Sequence, residues 1–437
     1  MYSLAIDLGT TTLAASLINC SSGERIAMTG SMNPQRRFGA DVVSRLDAAA
    51  NSSAASREMS SLIRCELRRM ASELCRKTGI AWDDVRQVAI AGNPAMQHIL
   101  MGLPLKSLTF PPFRPLYTKG TRLTAVDFDW DGSADIYVFP MPGGFVGGDT
   151  VAFLYGILCK RSGSMGQRYT SDSPSPLTAH RSSTPPALFL DMGTNGEMAL
   201  LTEKTIWATS AAAGPAFEGG NLSCGMAALP KAISSVKIEG DRVRLQVIGG
   251  GQPEGLCGSA VIEAITELLR CDILESGGRL RDPGEIASNL ASRLIVHRGA
   301  SAFVLHRDAQ RMIFLSQADI RQVQVAKSAI RAGIEVLAER SRIHCQTLLD
   351  VVLTGSFGAV LRPEWLKTIG IFDESMVHVT RFTPEGALAG AELALAANDR
   401  FSAVEELAMR FRVVPLSGTP LFETKFIQNI DFPHSLQ

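Results

Sequence analysis

At 437 residues the chain is long enough for two or three domains, each with its own core. Forty-three basic side chains balance forty-three acidic ones, so no overall field draws it to nucleic acid or to an anionic membrane. Only 6% of residues are aromatic, five of them tyrosine, which is thin for a base-stacking platform.

The first residues read as strand, turn, strand: Leu4-Ala5-Ile6-Asp7-Leu8-Gly9-Thr10-Thr11-Thr12. A hairpin turn at 21–24 and a third strand over 25–29 give a three-stranded antiparallel start. Asp41 is placed to cap a short helix over 42–46. Leu62, Ile63, Leu67, Met70 and Leu74 recur with helical period and predict a helix over 59–77, stopped by Gly79. A strand over 85–90 runs into Gly92-Asn93-Pro94, and a helix over 95–101 carries His98, which reads as a core or capping histidine. This order puts Gly92 and Asn93 at the C-terminal edge of a strand, where α/β proteins bind ligands. A strand over 136–139 leads through Gly143, Gly144, Gly147 and Gly148 to Asp149 and a helix over 151–159. Residues 161–186 are Ser, Thr and Pro with few large apolar groups, and are expected to form a flexible surface insertion.

The second half opens with an apolar strand over 187–190 that breaks into Asp191-Met192-Gly193-Thr194-Asn195-Gly196-Glu197. A hairpin over 198–209 follows, then a small-residue turn at Ala213-Gly214-Pro215. Strands are expected over 236–239 and 242–248, and helices over 261–270, 317–339 and 385–397. Between the last two, a strand over 351–354 breaks at Gly355-Ser356-Phe357-Gly358. The alternation fits two α/β lobes, 1–186 and 187–437, each carrying one Asp-x-Gly-Thr turn.

Two such turns about 180 residues apart are a long-period internal repeat. They are taken as facing each other across one nucleotide cleft. Gly9 and Gly193 let the backbone bend sharply and present N–H groups to phosphate oxygens. Thr10, Thr11, Thr194 and Asn195 add polar groups. No lysine follows the glycines, so this is not a GxxxxGK loop, and charge neutralisation falls to Mg²⁺ held by Asp7 and Asp191. Asp149 is the candidate to orient an attacking water or to bind the metal, and reads equally as a helix cap. Gly355, Ser356 and Gly358 suit an adenosine edge, because small residues allow close approach to a flat base. Gly214 reads the same way. Either stretch also reads as a plain connection. Asn33, Arg36 and Arg37 form a polar patch with no assigned use.

The eight cysteines include no CxxC pair, so zinc or ferredoxin spacing is absent. Cys224 and Cys257, each beside a glycine, read either as small buried fillers or as half of a four-cysteine cluster shared across a homodimer. With no signal peptide and no apolar run of about 18 residues, a cytoplasmic protein is expected.

The paired turns resemble the phosphate motifs of the actin, sugar-kinase and heat-shock-chaperone ATPase superfamily, which implies a two-lobed actin-like α/β fold with duplicated lobes. The longer strings over 33–41, 142–150, 191–197 and 212–219 resemble the reductive activators of corrinoid proteins, and the resemblance covers nearly the whole chain. It implies an ATPase that binds a corrinoid protein lapsed to Co(II). ATP binding and hydrolysis are coupled to reduction to Co(I), so that methyl transfer resumes. It implies ATP and Mg²⁺ contacted by Asp7, Gly9, Thr10, Thr11, Asp191, Gly193 and Thr194, with Gly355, Ser356 and Gly358 near the adenosine. It also implies a homodimer.

Family members commonly begin with a 2Fe–2S ferredoxin-like domain. Here the Asp7 strand starts at once, so the electron is expected from a separate or missing iron–sulfur domain or a flavin donor. Three other readings stay open. One is an activator resembling the 2-hydroxyacyl-CoA dehydratase activases, with a 4Fe–4S cluster at a dimer interface. The others are a small-molecule kinase of the same superfamily and a non-enzymatic scaffold.

Overall fold

The computed structural model describes the whole chain apart from residues 40, 111–112, 162–184, 356–360, 398, 400 and 435–437. The insertion expected at 161–186, and Ser356, Phe357 and Gly358, therefore lie largely or wholly outside the described residues. The chain divides into two units. The first takes Met1–Thr184, Leu201–Ala208 and Glu385–Val413; the second takes Pro185–Leu200, Thr209–Pro384 and Val414–Gln437.

In the first unit, β1 (Tyr2–Leu8), β2 (Thr12–Asn19) and β3 (Glu24–Met32) form the expected antiparallel start. Ser3 to Ile6 are all buried rather than alternating, the pattern of a strand covered on both faces. β4 (Val85–Gly92) runs parallel to β1, pairing Asp7 with Ala91 and Leu8 with Gly92. β5 (Thr121–Thr124) and β6 (Asp135–Val138) complete a sheet of order β3-β2-β1-β4-β6-β5, with β6 parallel to β4.

Helix α1 (Val42–Asn51) starts where expected: Asp41 Oδ1 accepts from the Ser44 N–H at 2.8 Å. It runs beyond the predicted 42–46. Helix α2 (Ser53–Thr78) begins six residues before its apolar period does, because Ser52 caps it by accepting from the Ala55 N–H at 3.2 Å. Met59, Ile63, Leu67, Met70 and Leu74 then join the core formed with β1, β2 and β4. Each such burial stabilises by about 1.5–3 kcal/mol. α3 (Pro94–Met101) follows β4, and α4 (Gly148–Arg161) follows β6. The helix Gly386–Ala396 packs against α4 and on β1 and β4, although it is distant from them in the chain.

In the second unit, β7 (Ala187–Met192) lies between β8 (Gly196–Leu201) and the parallel strand Asp350–Thr354, with Asp191 opposite Thr354. The strand Thr380–Phe382 extends the parallel set. This repeats the first unit's frame: an Asp-bearing strand with its chain neighbour on one side and a parallel strand on the other. The strands Ala232–Glu239 and Arg242–Val247 pair antiparallel as predicted. A meander of Leu294–His297, Ala300–Arg307 and Met312–Ser316 was not expected. A register shift between Val304 and His306 interrupts the period-two pattern that would have marked it. It feeds the helix Gln317–Ser341 through a Ser316–Asp319 capping box. No helix among the described residues is long and apolar enough to cross a membrane.

Candidate functional site

In the first unit the predicted residues gather at the C-terminal ends of three parallel strands. Asp7 is the penultimate residue of β1, Gly92 ends β4 with Asn93 next to it, and the segment after β6 leads to Asp149. Gly9, Thr10 and Thr11 make the β1–β2 turn. A Cβ at Gly9 would overlap the Thr12 carbonyl oxygen, so the bend requires glycine. The turn is tied down from two directions. Asn33, fully buried, donates from Nδ2 to the Gly9 carbonyl at 2.9 Å, and its N–H donates to Thr11 O at 2.9 Å. Asn93 donates from Nδ2 to Thr10 Oγ1 at 2.9 Å while its Oδ1 caps α3.

Asp149 stands inside the first turn of α4 rather than before it, so it is not the N-cap that one reading allowed. Its Oδ1 accepts from the Thr150 N–H at 2.7 Å. Burial raises its pKa from 3.8 to about 6, against the lowering effect of that hydrogen bond. The preceding turn is positioned by Gln97, which accepts from the Gly148 N–H at 3.1 Å and donates to Phe139 O at 2.8 Å. Helix α3 and the β6–α4 connection are thus joined by one buried amide.

In the second unit, Asp191 precedes the turn Gly193-Thr194-Asn195, closed by Gly193 N–H to Asn195 O at 3.1 Å. Gly355 follows the neighbouring strand with φ +96°, and a Cβ there would stand 2.6 Å from Asp191 Oδ1. Gly355 is thereby set against the acidic turn. Glu218 also reaches this turn. Burial raises its pKa, while the Thr194 hydroxyl and N–H donate to the carboxylate and hold it partly down. Glu218 ends the short helix Pro215–Glu218 that Gly214 opens. Its place at Thr194 gives the 212–219 string a local purpose that its text alone did not disclose.

Asn33, Gln97 and Glu218 are the positioning residues that sequence reasoning did not assign. Asn33 was marked only by the 33–41 stretch and its unassigned polar patch, and Glu218 only by the 212–219 stretch. His98 is a core residue: Nδ1 lies 3.1 Å from Pro104 O, and Nε2 accepts from the Leu116 N–H at 3.2 Å. The two cysteines considered for a cluster have local partners. Cys224 Sγ accepts from the Phe314 N–H at 3.5 Å, and buried Cys257 lies 3.3 Å from Ser259 Oγ.

A strand, an Asp-x-Gly-Thr turn and a parallel partner strand, built twice, are features of an actin-like ATPase. A family model described as the C-terminal domain of RACo, the ASKHA domain, matches residues 185–437, and one described as the RACo middle region matches 2–160. The chain belongs to this family, the reductive activators of corrinoid proteins. It is 28% identical over 440 residues to the corrinoid activation enzyme RamQ of Eubacterium limosum, covering 99% of this chain and 70% of that one. A Co(II) methylated amine-specific corrinoid protein reductase of Methanosarcina barkeri is 24% identical over 444 residues, covering 94% and 73%. The solved structure of a reductive activator for corrinoid, iron-sulfur protein superposes with a TM-score of 0.82 at 26% identity, covering 99% of this chain and 66% of that one. The chain thus spans roughly two thirds to three quarters of the length of these relatives.

Proposed function

We propose that this chain is the ATP-driven part of a reductive activator. It binds a corrinoid protein whose cobalt has fallen to Co(II) and couples ATP binding and hydrolysis to its one-electron reduction to Co(I). The electron comes from a separate iron–sulfur or flavin donor. The observation that carries this reading is the duplicated frame that ends in Asp7 in one unit and Asp191 in the other.

Gly9, Thr10, Thr11 and Asn195 present backbone and side-chain donors to the phosphates, Gly193 and Thr194, whose own donors meet Asn195 O and Glu218, shape the second phosphate turn, and Gly214 and Gly355 leave room for the adenosine. Asp7 and Asp191 supply hard carboxylate oxygens, the donor type that suits Mg²⁺, which usually keeps several waters and takes only one or two protein ligands. Bound magnesium would neutralise charge on the phosphates. Asp149 is ionised at neutral pH with a pKa near 6, and accepts a proton from the attacking water more readily than an ordinary carboxylate. The protein acts in the cytoplasm as a homodimer.

The test is phosphate release in the presence of a corrinoid protein and a reductant. Asp7→Ala and Asp191→Ala are each expected to lower the rate by about a hundredfold or more. Rates equal to wild type would remove these residues from the mechanism.

A further inference from the structure

On the flank of α2 lies a groove of about 670 Å³ that the proposed ATPase chemistry does not use. Its walls are α2, the end of α3 at Gly102, and the turn Phe128–Trp130. In a chain with a formal net charge of zero, its lining holds Arg57, Arg64, Arg68 and Arg69 against one acid, Asp129. Spacings of seven and four residues put Arg57, Arg64 and Arg68 on one side of the helix, with Arg69 turned roughly 100° further round. Four serines in the lining add hydroxyl donors.

Two of the cations are held ready. Arg64 Nε donates to Leu100 O at 2.9 Å, and its guanidinium lies 5.0 Å from the centre of the Phe128 ring. Arg68 lies 4.3 Å over the Trp82 ring. Such anchoring lowers the entropy lost when a ligand arrives. Asp129 approaches Arg64 at 3.5 Å, but its side chain is 91% exposed and neutralises little. Arg69 is occupied by Glu66 and Glu73. Arg57 has no ion pair among the described residues.

The spacing selects the ligand. Arg57 and Arg68 stand about 16 Å apart along α2 at the helical rise per residue, too far to grip one phosphate together. An extended peptide covers that distance in about five residues and brings a carboxylate to the same side at every second one. We propose that this groove docks an acidic segment of a partner protein, its Asp and Glu carboxylates received by Arg57, Arg64 and Arg68. Arginine clusters are a recurring means of reading acidic motifs. The proposal stands apart from the ATPase reading, because none of its residues belongs to the two acidic turns.

The experiment titrates the full chain against a fluorescent oligoglutamate peptide by anisotropy, with oligolysine as the control and inorganic polyphosphate as the competitor. Oligoglutamate should bind, and more weakly as salt rises. The variant Arg57→Glu/Arg68→Glu should lower its affinity roughly tenfold or more, with nucleotide binding unchanged. Arg57→Glu alone removes a side chain that braces nothing, and should already cost severalfold, so a folding defect in the double variant does not shelter the idea. Absent binding, equal binding by wild type and variants, or binding of polyphosphate with rejection of the peptide would each overturn it.

Discussion

Asn93 joins two turns. Its Nδ2 donates to Thr10 Oγ1 at 2.9 Å while its Oδ1 accepts from the Met96 N–H at 3.0 Å to cap α3. The parallel pairing of β1 with β4 makes this reach possible, since it sets Leu8 beside Gly92. One amide therefore links helix stability to the orientation of the Thr10 hydroxyl.

Asn93→Ala should lose both functions. The missing cap costs about 1 kcal/mol in denaturant unfolding, and the released Thr10 should weaken nucleotide binding severalfold by calorimetry. Asn93→Asp keeps the cap and loses the donor, so it should spare stability and still weaken the nucleotide.

Gly355→Ala should disturb the second acidic turn. At φ +96° any side chain is strained, by roughly 1–3 kcal/mol, and here the added carbon would also press on Asp191. Gly240 is a control: its φ is +57°, and nothing lies within 4 Å of a Cβ there. Gly240→Ala should lower the melting temperature less than Gly355→Ala and leave nucleotide affinity intact.

His98 should make the first unit acid-sensitive. Burial lowers its pKa below the ordinary 6.5, and the Leu116 N–H occupies Nε2, so the ring is neutral with its proton on Nδ1. The unfolded chain takes up a proton before the folded one does. The histidine's stabilising share is therefore complete above about pH 6.5 and is lost as pH falls toward the lower folded value. His98→Ala should cost about 2–3 kcal/mol by leaving the Pro104 carbonyl and the Leu116 N–H unpaired, and should flatten the acid limb of the stability profile.

Asp149 should act with the opposite sign. Its folded pKa is raised from 3.8 to about 6, so its stabilising share is present below 3.8 and lost as pH rises through 6. Asp149→Asn should therefore be more stable than wild type at neutral pH by roughly 1–2 kcal/mol, with the difference closing below pH 4. Phosphate release should fall in the same variant. A fall without the stability gain would place Asp149 in catalysis but contradict the raised pKa.

Much of the frame is legible because its determinants are local. Asp41 and Gly79 mark helix ends through a side-chain cap on the Ser44 N–H and a left-handed turn that involve only near neighbours. Asp7-Leu8-Gly9 and Asp191-Met192-Gly193 declare a strand entering a tight turn in the same way. The Ala300–Arg307 meander was missed because its bulge breaks the local period.

The sequence by itself therefore determined the two acidic turns, most of the helices around them and the family to which they point. Only the tertiary structure decided which distant groups complete those turns: Asn33 on Gly9, Asn93 on Thr10, Glu218 on Thr194, and the helix Gly386–Ala396 returning to β1 and β4. A cap or turn is chosen by a few neighbouring dihedrals and leaves a mark in short text. A buried amide or carboxylate instead gains its partner only when strand pairing closes a long loop, and no short window of sequence contains both ends of that contact.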